Sequence, residues 1–167
     1  MVKQLYKILF VLLLFIGTST VFATPTKIIV RAKAKDAKFI GTSVGGAMVI
    51  IRNTTTGEIL AKGITAGSTG NTKLIMRTPK ERYQAMSDDR TAKFEATIDI
   101  AAPTFVTIQV MAPYNKKQAR ITAQTQVWLI PGKDIVGDGV VVEVPGFIID
   151  VLAPQTHEFV SLGMKQK

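Results

Sequence analysis

Residues 92–100 read Ala-Lys-Phe-Glu-Ala-Thr-Ile-Asp-Ile. Phe94, Ala96, Ile98 and Ile100 share one parity, while Lys93, Glu95, Thr97 and Asp99 share the other. Extended backbone sends successive side chains to opposite faces, so this period of two predicts a strand with one face in a core and one in water. The same rhythm recurs on both sides. In residues 26–35, Ile28, Val30, Ala32 and Ala34 alternate with Lys27, Ile29, Arg31, Lys33 and Lys35. Residues 47–52 and 58–65 are β-rich runs joined by Asn53-Thr54-Thr55-Thr56-Gly57, a turn-forming cluster, which predicts a hairpin. Val106, Ile108 and Val110 mark another strand in 104–111. The longest candidate is 118–130, with Ala119, Ile121, Ala123, Val127 and Leu129 on one parity. Residues 140–144 and 147–153 close the set across Pro145-Gly146.

Seven or eight short strands with turn signals every ten or so residues predict an all-β, antiparallel two-sheet sandwich. No strand–helix rhythm of an α/β fold is present. Residues 71–90 are the one break in the pattern, a long excursion. Thr78 can cap a helix, Pro79 suits its first position and Glu81 completes a capping box, so one short helix is expected over 80–86.

The N-terminus has a different character. Lys3 and Lys7 precede nine uninterrupted apolar residues, 8–16, and Val21-Phe22-Ala23 follows a short polar stretch. This is the three-part pattern of a secretory signal peptide. The apolar run is shorter than the ~20 residues a membrane-spanning helix needs. The expected division is 1–23 signal peptide, 24–154 β-sandwich domain and 155–167 C-terminal tail. Cleavage near Ala23 would leave a periplasmic or secreted chain with no transmembrane helix. Losing Lys3 and Lys7 lowers the formal charge of +9 by two.

The segment Gly46-Ala47-Met48-Val49-Ile50-Ile51-Arg52-Asn53, then Thr56-Gly57-Glu58-Ile59-Leu60-Ala61, with Gly63, Thr65, Gly67 and Gly70, resembles the opening hairpin of carboxypeptidase-regulatory-like domains. These are related to transthyretin-like and other immunoglobulin-like bacterial modules. The resemblance spans residues 46–70. It implies a transthyretin-like or immunoglobulin-like sandwich with an accessory, binding or scaffolding role and no catalysis. It supplies no ligand residue.

The chemistry available to the chain is narrow. With no Cys and one His, the chain excludes disulfides, thiol catalysis and Cys-based zinc sites. His157 stands alone in the tail, and Ser43, Ser68, Ser87 and Ser161 lie in no Gly-x-Ser-x-Gly elbow. Residues 132–139 carry Asp134 and Asp138 but lack the ligand spacing of a calcium loop. A hydrolase or metal-dependent enzyme would need those carboxylates to converge with His157 or a water. The expectation is a protein without enzymatic activity, cofactor or metal.

Two binding surfaces remain. Lys27, Arg31, Lys33, Lys35 and Lys38 form a basic stripe suited to anionic polymers or lipid. The same lysines would also guard an edge strand against edge-to-edge pairing, and that is the favoured expectation. Nucleic acid is not expected, since no aromatic residues interleave with these charges. Trp128, Ile130, Ile148 and Leu152 are the apolar side chains on the solvent parity of their strands. If those strands are neighbours, the four residues make a patch for a protein partner.

Overall fold

The computed structural model describes residues 22–146, and residues 147–153 of the expected last strand lie outside the described residues. Seven strands form: β1 (Thr24–Ala34), β2 (Met48–Asn53), β3 (Ile59–Ile64), β4 (Phe94–Ile100), β5 (Thr104–Ala112), β6 (Ile121–Leu129) and β7 (Ile135–Val144). One short helix, α1 (Thr72–Met76), lies between β3 and β4. The strands make a three-stranded sheet ordered β4-β1-β7 and a four-stranded sheet ordered β3-β2-β5-β6. The result is the expected all-β two-sheet sandwich. The first two strands lie in opposite sheets, whereas an immunoglobulin constant domain places them side by side; sandwiches share architecture more than connectivity.

All ladders are antiparallel except β1 with β7, which is parallel. The sequence pattern placed the start of β7 near residue 140, but pairing begins with Ile28 opposite Ile135 and resumes with Val30 opposite Val140. Four residues of β7 therefore bulge where β1 advances by one, which re-aims Asp138. The backbone tolerates this because Gly137 and Gly139 adopt φ of 72° and 66°.

Between the sheets lie Ile28, Val30 and Ala32 of β1, Val49 and Ile51 of β2, Val106, Ile108 and Val110 of β5, Leu129, and Val142 and Val144 of β7. All but Ala32 and Leu129 are β-branched, and within each strand they share one parity. At one flank the sheets meet through Phe94, whose ring lies over Gly63 of β3; a Cβ on Gly63 would come within 2.2 Å of that ring. Thr65 closes the hairpin end. Its buried hydroxyl accepts from Ala47 N and donates to the Ile40 carbonyl, both at 2.9 Å.

The helix is not where the capping box placed it. Asn71 is the cap, its Oδ1 accepting from Leu74 N at 3.1 Å. Thr78 ends the element instead of starting one, since its hydroxyl donates to the Lys73 carbonyl at 3.1 Å. Tyr83 sits at φ 68°, which breaks any helix over 80–86. Ile75 is the buried side chain of α1, and a Cβ on Gly70 would lie 2.7 Å from its Cδ1 and 3.3 Å from Phe39.

Gly139 and Gly137 form a matched pair. Both have positive φ, but a Cβ on Gly139 would lie 2.2 Å from the Ile29 carbonyl oxygen, while one on Gly137 meets nothing within 4 Å. Gly137→Ala should cost about 1 kcal/mol from conformation alone, and Gly139→Ala about 2 kcal/mol more from the backbone clash. Urea denaturation of both variants checks this; equal losses would mean the bulge does not press on β1.

Candidate functional site

The basic stripe is taken apart by the fold. β1 is the central strand of its sheet, not an edge, so the edge-guarding expectation for its lysines is corrected. Arg31 and Lys33 are 3% and 8% exposed. Residues 66–92 pass over this outer face and bury it. The Arg31 guanidinium donates to the Thr91 carbonyl, to Ala92 O at 3.1 Å and to Gly137 O at 3.2 Å. Burial lowers the Arg31 pKa, opposed by the nearby charges of Asp138, Asp88 and Asp89. Lys33 Nζ lies 3.4 Å from Glu143 Oε2, across the β1–β7 pair. Lys27 meets Glu95 Oε1 at 2.6 Å, and that hydrogen bond raises the Lys27 pKa and lowers that of Glu95. Lys35 is exposed and Lys38 half-buried in the turn after β1. Three of the five stripe residues are thus engaged within the protein.

Asp134 and Asp138 are also occupied. Asp134 Oδ1 accepts from Lys27 N at 2.8 Å. Asp138 accepts from Met86 N at 2.8 Å, from Ser87 N at 3.0 Å and from the Ser87 hydroxyl. These carboxylates fasten loops to strands. Among the described residues no group of three or more His, Asp or Glu side chains is placed to hold a metal. His157 and Ser161 lie outside the described residues.

The apolar candidates divide. Trp128, 60% exposed, and Ile130, 44% exposed, are on the surface at one end of β6. Ile148 and Leu152 lie outside the described residues. The pattern-based reading missed Phe105. It stands opposite Trp128 in the β5–β6 register, with ring centroids 4.9 Å apart and planes tilted by 36°. The separation lies within the range of about 4.5–7 Å over which aromatic pairs attract. Next to the pair runs a polar row, in which Gln126 Nε2 donates to Thr107 Oγ1 at 3.1 Å and Thr107 bonds Thr54 through their hydroxyls at 2.8 Å. Farther along the same outer face come Ile50, Met48, Met111 and Ile64.

Among the described residues β6 is the last strand of its sheet, and residues 121–129 contain no charge and no proline. Edge strands are usually protected by charges, prolines or bulges. This one offers Thr122, Gln124, Gln126 and Trp128 on its outer face. No helix among the described residues is long and apolar enough to cross a membrane. Comparison with family models, curated proteins and solved structures returns no match.

Two predictions follow from the covered face of β1. Replacing Arg31 with Met leaves three carbonyls without their donor, so stability should fall by about 2–3 kcal/mol and residues 71–90 should become protease-sensitive. Arg31→Lys should rescue little, because one ammonium cannot reproduce the fork; full rescue by Lys would show that charge alone suffices. The Thr91 hydroxyl holds the Asp88 carboxyl below its ordinary pKa. A depressed carboxyl contributes stability above the unfolded-state pKa of about 3.9 and loses it as pH falls through the folded value. Carboxyl-detected NMR titration should therefore place the Asp88 midpoint below 3.9; a higher midpoint contradicts the Thr91 bond.

Proposed function

We propose that this chain is an exported, non-enzymatic β-sandwich that binds another protein, acting as a structural or assembly component of the bacterial cell envelope or surface. The observation that carries the reading is the Trp128–Phe105 pair, with Ile130 beside it, standing on the outer face of an uncharged edge strand. Large aromatic side chains are the commonest anchors of protein interfaces, and an unguarded edge can add an extended segment of a partner by backbone hydrogen bonding. Export rests on the signal-like pattern of residues 1–23. The absence of catalysis rests on the chain's chemistry: one His, no Cys, and Asp134 and Asp138 engaged with backbone amides. The carboxypeptidase-regulatory-like and transthyretin-like resemblance is part of this proposal, supported by the β2–β3 hairpin on the residues that carry it.

Electrostatic binding to an anionic polymer or lipid surface is the weaker reading. Arg31 and Lys33 are buried and Lys27 is paired with Glu95, which leaves Lys35 and Lys38 of the stripe facing solvent in whole or in part.

Tagged chain recovered from envelope extracts should bring down a protein that mass spectrometry identifies. Trp128→Ser should abolish its recovery while moving the thermal midpoint by only a few degrees, since an exposed substitution costs little. Lys35→Gln should leave recovery intact. Undiminished recovery with Trp128→Ser removes the aromatic pair from the interface. Binding lost with Lys35→Gln, or steeply with salt, favours the electrostatic reading.

A further inference from the structure

Among the described residues four strands stand at sheet edges: β4 and β7 in one sheet, β3 and β6 in the other. Three of them are built against pairing. β4 carries Glu95 and Asp99, and Glu95 is ion-paired with both Lys27 and Lys93. β7 carries Asp138 and Glu143 and bulges against β1. β3 carries Lys62, and its register with β2 shifts at Arg52. Charges and bulges of this kind keep an edge from adding a further strand. β6 has neither. Its nine residues pair with β5 without a register shift and include no charge, glycine or proline.

The inner face of β6 is also under-covered. On β5, Val106, Ile108, Val110 and Ala112 are fully buried. Beside them, in register, Ile121, Ala123, Thr125 and Val127 of β6 are only half-buried. A strand added to this edge would take up its outward N–H and C=O groups and extend the inner row at the same time. We infer that the added strand is β6 of a second copy, joined antiparallel about a two-fold axis at Thr125, so that the four strands of each copy make one continuous sheet. The inference rests on the reading of the β6 edge as an interface and names its occupant.

The strand is its own complement. Thr125 is the middle residue of Ile121–Leu129, so full overlap about it sets Ile121 opposite Leu129, Thr122 opposite Trp128, Ala123 opposite Val127, Gln124 opposite Gln126 and Thr125 opposite itself. Aromatic side chains opposite β-branched ones, and Thr opposite Thr, are favourable cross-strand neighbours. Each Gln amide carries both donors and an acceptor, so Gln124 and Gln126 can satisfy one another. Opposed residues share a face, which joins the two half-covered rows on the inner side and keeps both Trp128 rings on the outer side. A two-fold axis brings every residue near it against its own kind, and an uncharged strand is the one that can bear this without repulsion. The pairing consumes both β6 edges at once. Lys62 and the register shift guard β3 at the far end of the sheet, so growth stops at two copies.

The test is self-association of the intact chain. Sedimentation equilibrium should give a dimer. Gln124→Lys combined with Gln126→Lys gathers cations at the axis and should raise the dimer dissociation constant at least about 100-fold with the circular dichroism unchanged, because like charges opposed across an interface repel. Gln124→Glu combined with Gln126→Glu should do the same, and an equimolar mixture of the two variants should restore association as a heterodimer. Should the substitutions unfold the chain, hydrogen exchange on the unaltered protein reads the same edge: amide protection over 121–129 should rise with concentration, and over 59–64 it should not. A chain that stays monomeric, a dimer indifferent to both substituted pairs, or exchange independent of concentration would overturn the inference. A monomer that still recovers an envelope protein through Trp128 overturns the second copy and leaves the partner reading standing. A dimer split by the lysine pair, with recovery undiminished by Trp128→Ser, supports the second copy and removes the aromatic pair from the partner interface.

Discussion

Arg31 is the side chain on which the arrangement turns. A guanidinium 3% exposed in the middle of a sheet is costly to desolvate unless its donors are used. Here they reach the carbonyls of Thr91, Ala92 and Gly137. Those carbonyls belong to the two segments flanking the outer face of β1: the end of the long excursion and the bulge of β7. Because the fork is planar and rigid, it sets the position of one segment relative to the other. Asp138, on the same bulge, then accepts from residues 86 and 87, so the excursion is tied at a second point. The Arg31 Nε remains without a hydrogen-bond partner, which is consistent with a group held by its two terminal nitrogens.

This makes the two sheets unlike each other. The β4-β1-β7 sheet has its middle strand buried on both faces, by the core on one side and by residues 66–92 on the other. The β3-β2-β5-β6 sheet is buried on its inner face at β2 and β5, and on its outer face Met48 and Ile50 are buried too, while Ile64 and Trp128 are exposed. Its outer face mixes Ile64, Met48, Ile50 and Met111 with the row of Thr54, Thr107 and Gln126 and the Phe105–Trp128 corner. The exposed aromatic corner on which the proposed interface rests therefore lies on the second sheet, at Trp128. The first sheet uses its cations internally.

Much of this was legible from alternation. The strands expected in 92–100 and 104–111 are β4 and β5, with Ile98 and Ile100 and with Val106, Ile108 and Val110 buried as the alternation requires, and the turn at 53–57 joins β2 and β3. The lysine stripe misled because an alternating Lys/Arg parity looks the same under water as under a covering loop. Only the path of residues 66–92 distinguishes the two, and that path depends on long-range contacts that no local pattern records. The helix was displaced for a similar reason. Asn71 and Thr78 are both good caps, and what selects Asn71 is the seat of Ile75 beside Phe39 and Gly70. Phe105 escaped notice because its role exists only in the register with Trp128. A strand-pairing argument joining the two aromatics at the ends of β5 and β6 would have found it.

The exposed corner fits the proposed protein interface better than it fits a charged surface. An anionic polymer or headgroup layer rewards mobile cations near the surface, and it gains little from an aromatic pair or from uncharged strand edges. A protein partner gains from both. Trp128 and Phe105 present rigid apolar area with little side-chain entropy to lose, and the backbone of β6 offers hydrogen bonds that do not depend on salt. Leaving an edge uncharged exposes a chain to self-association, which natural sheets generally avoid. The run of Thr, Gln and Trp on β6, with no lysine or proline in nine residues, is therefore a feature with a cost in the free chain. Coverage by a partner strand would remove that cost, and this is the physical reason for placing the proposed interface there.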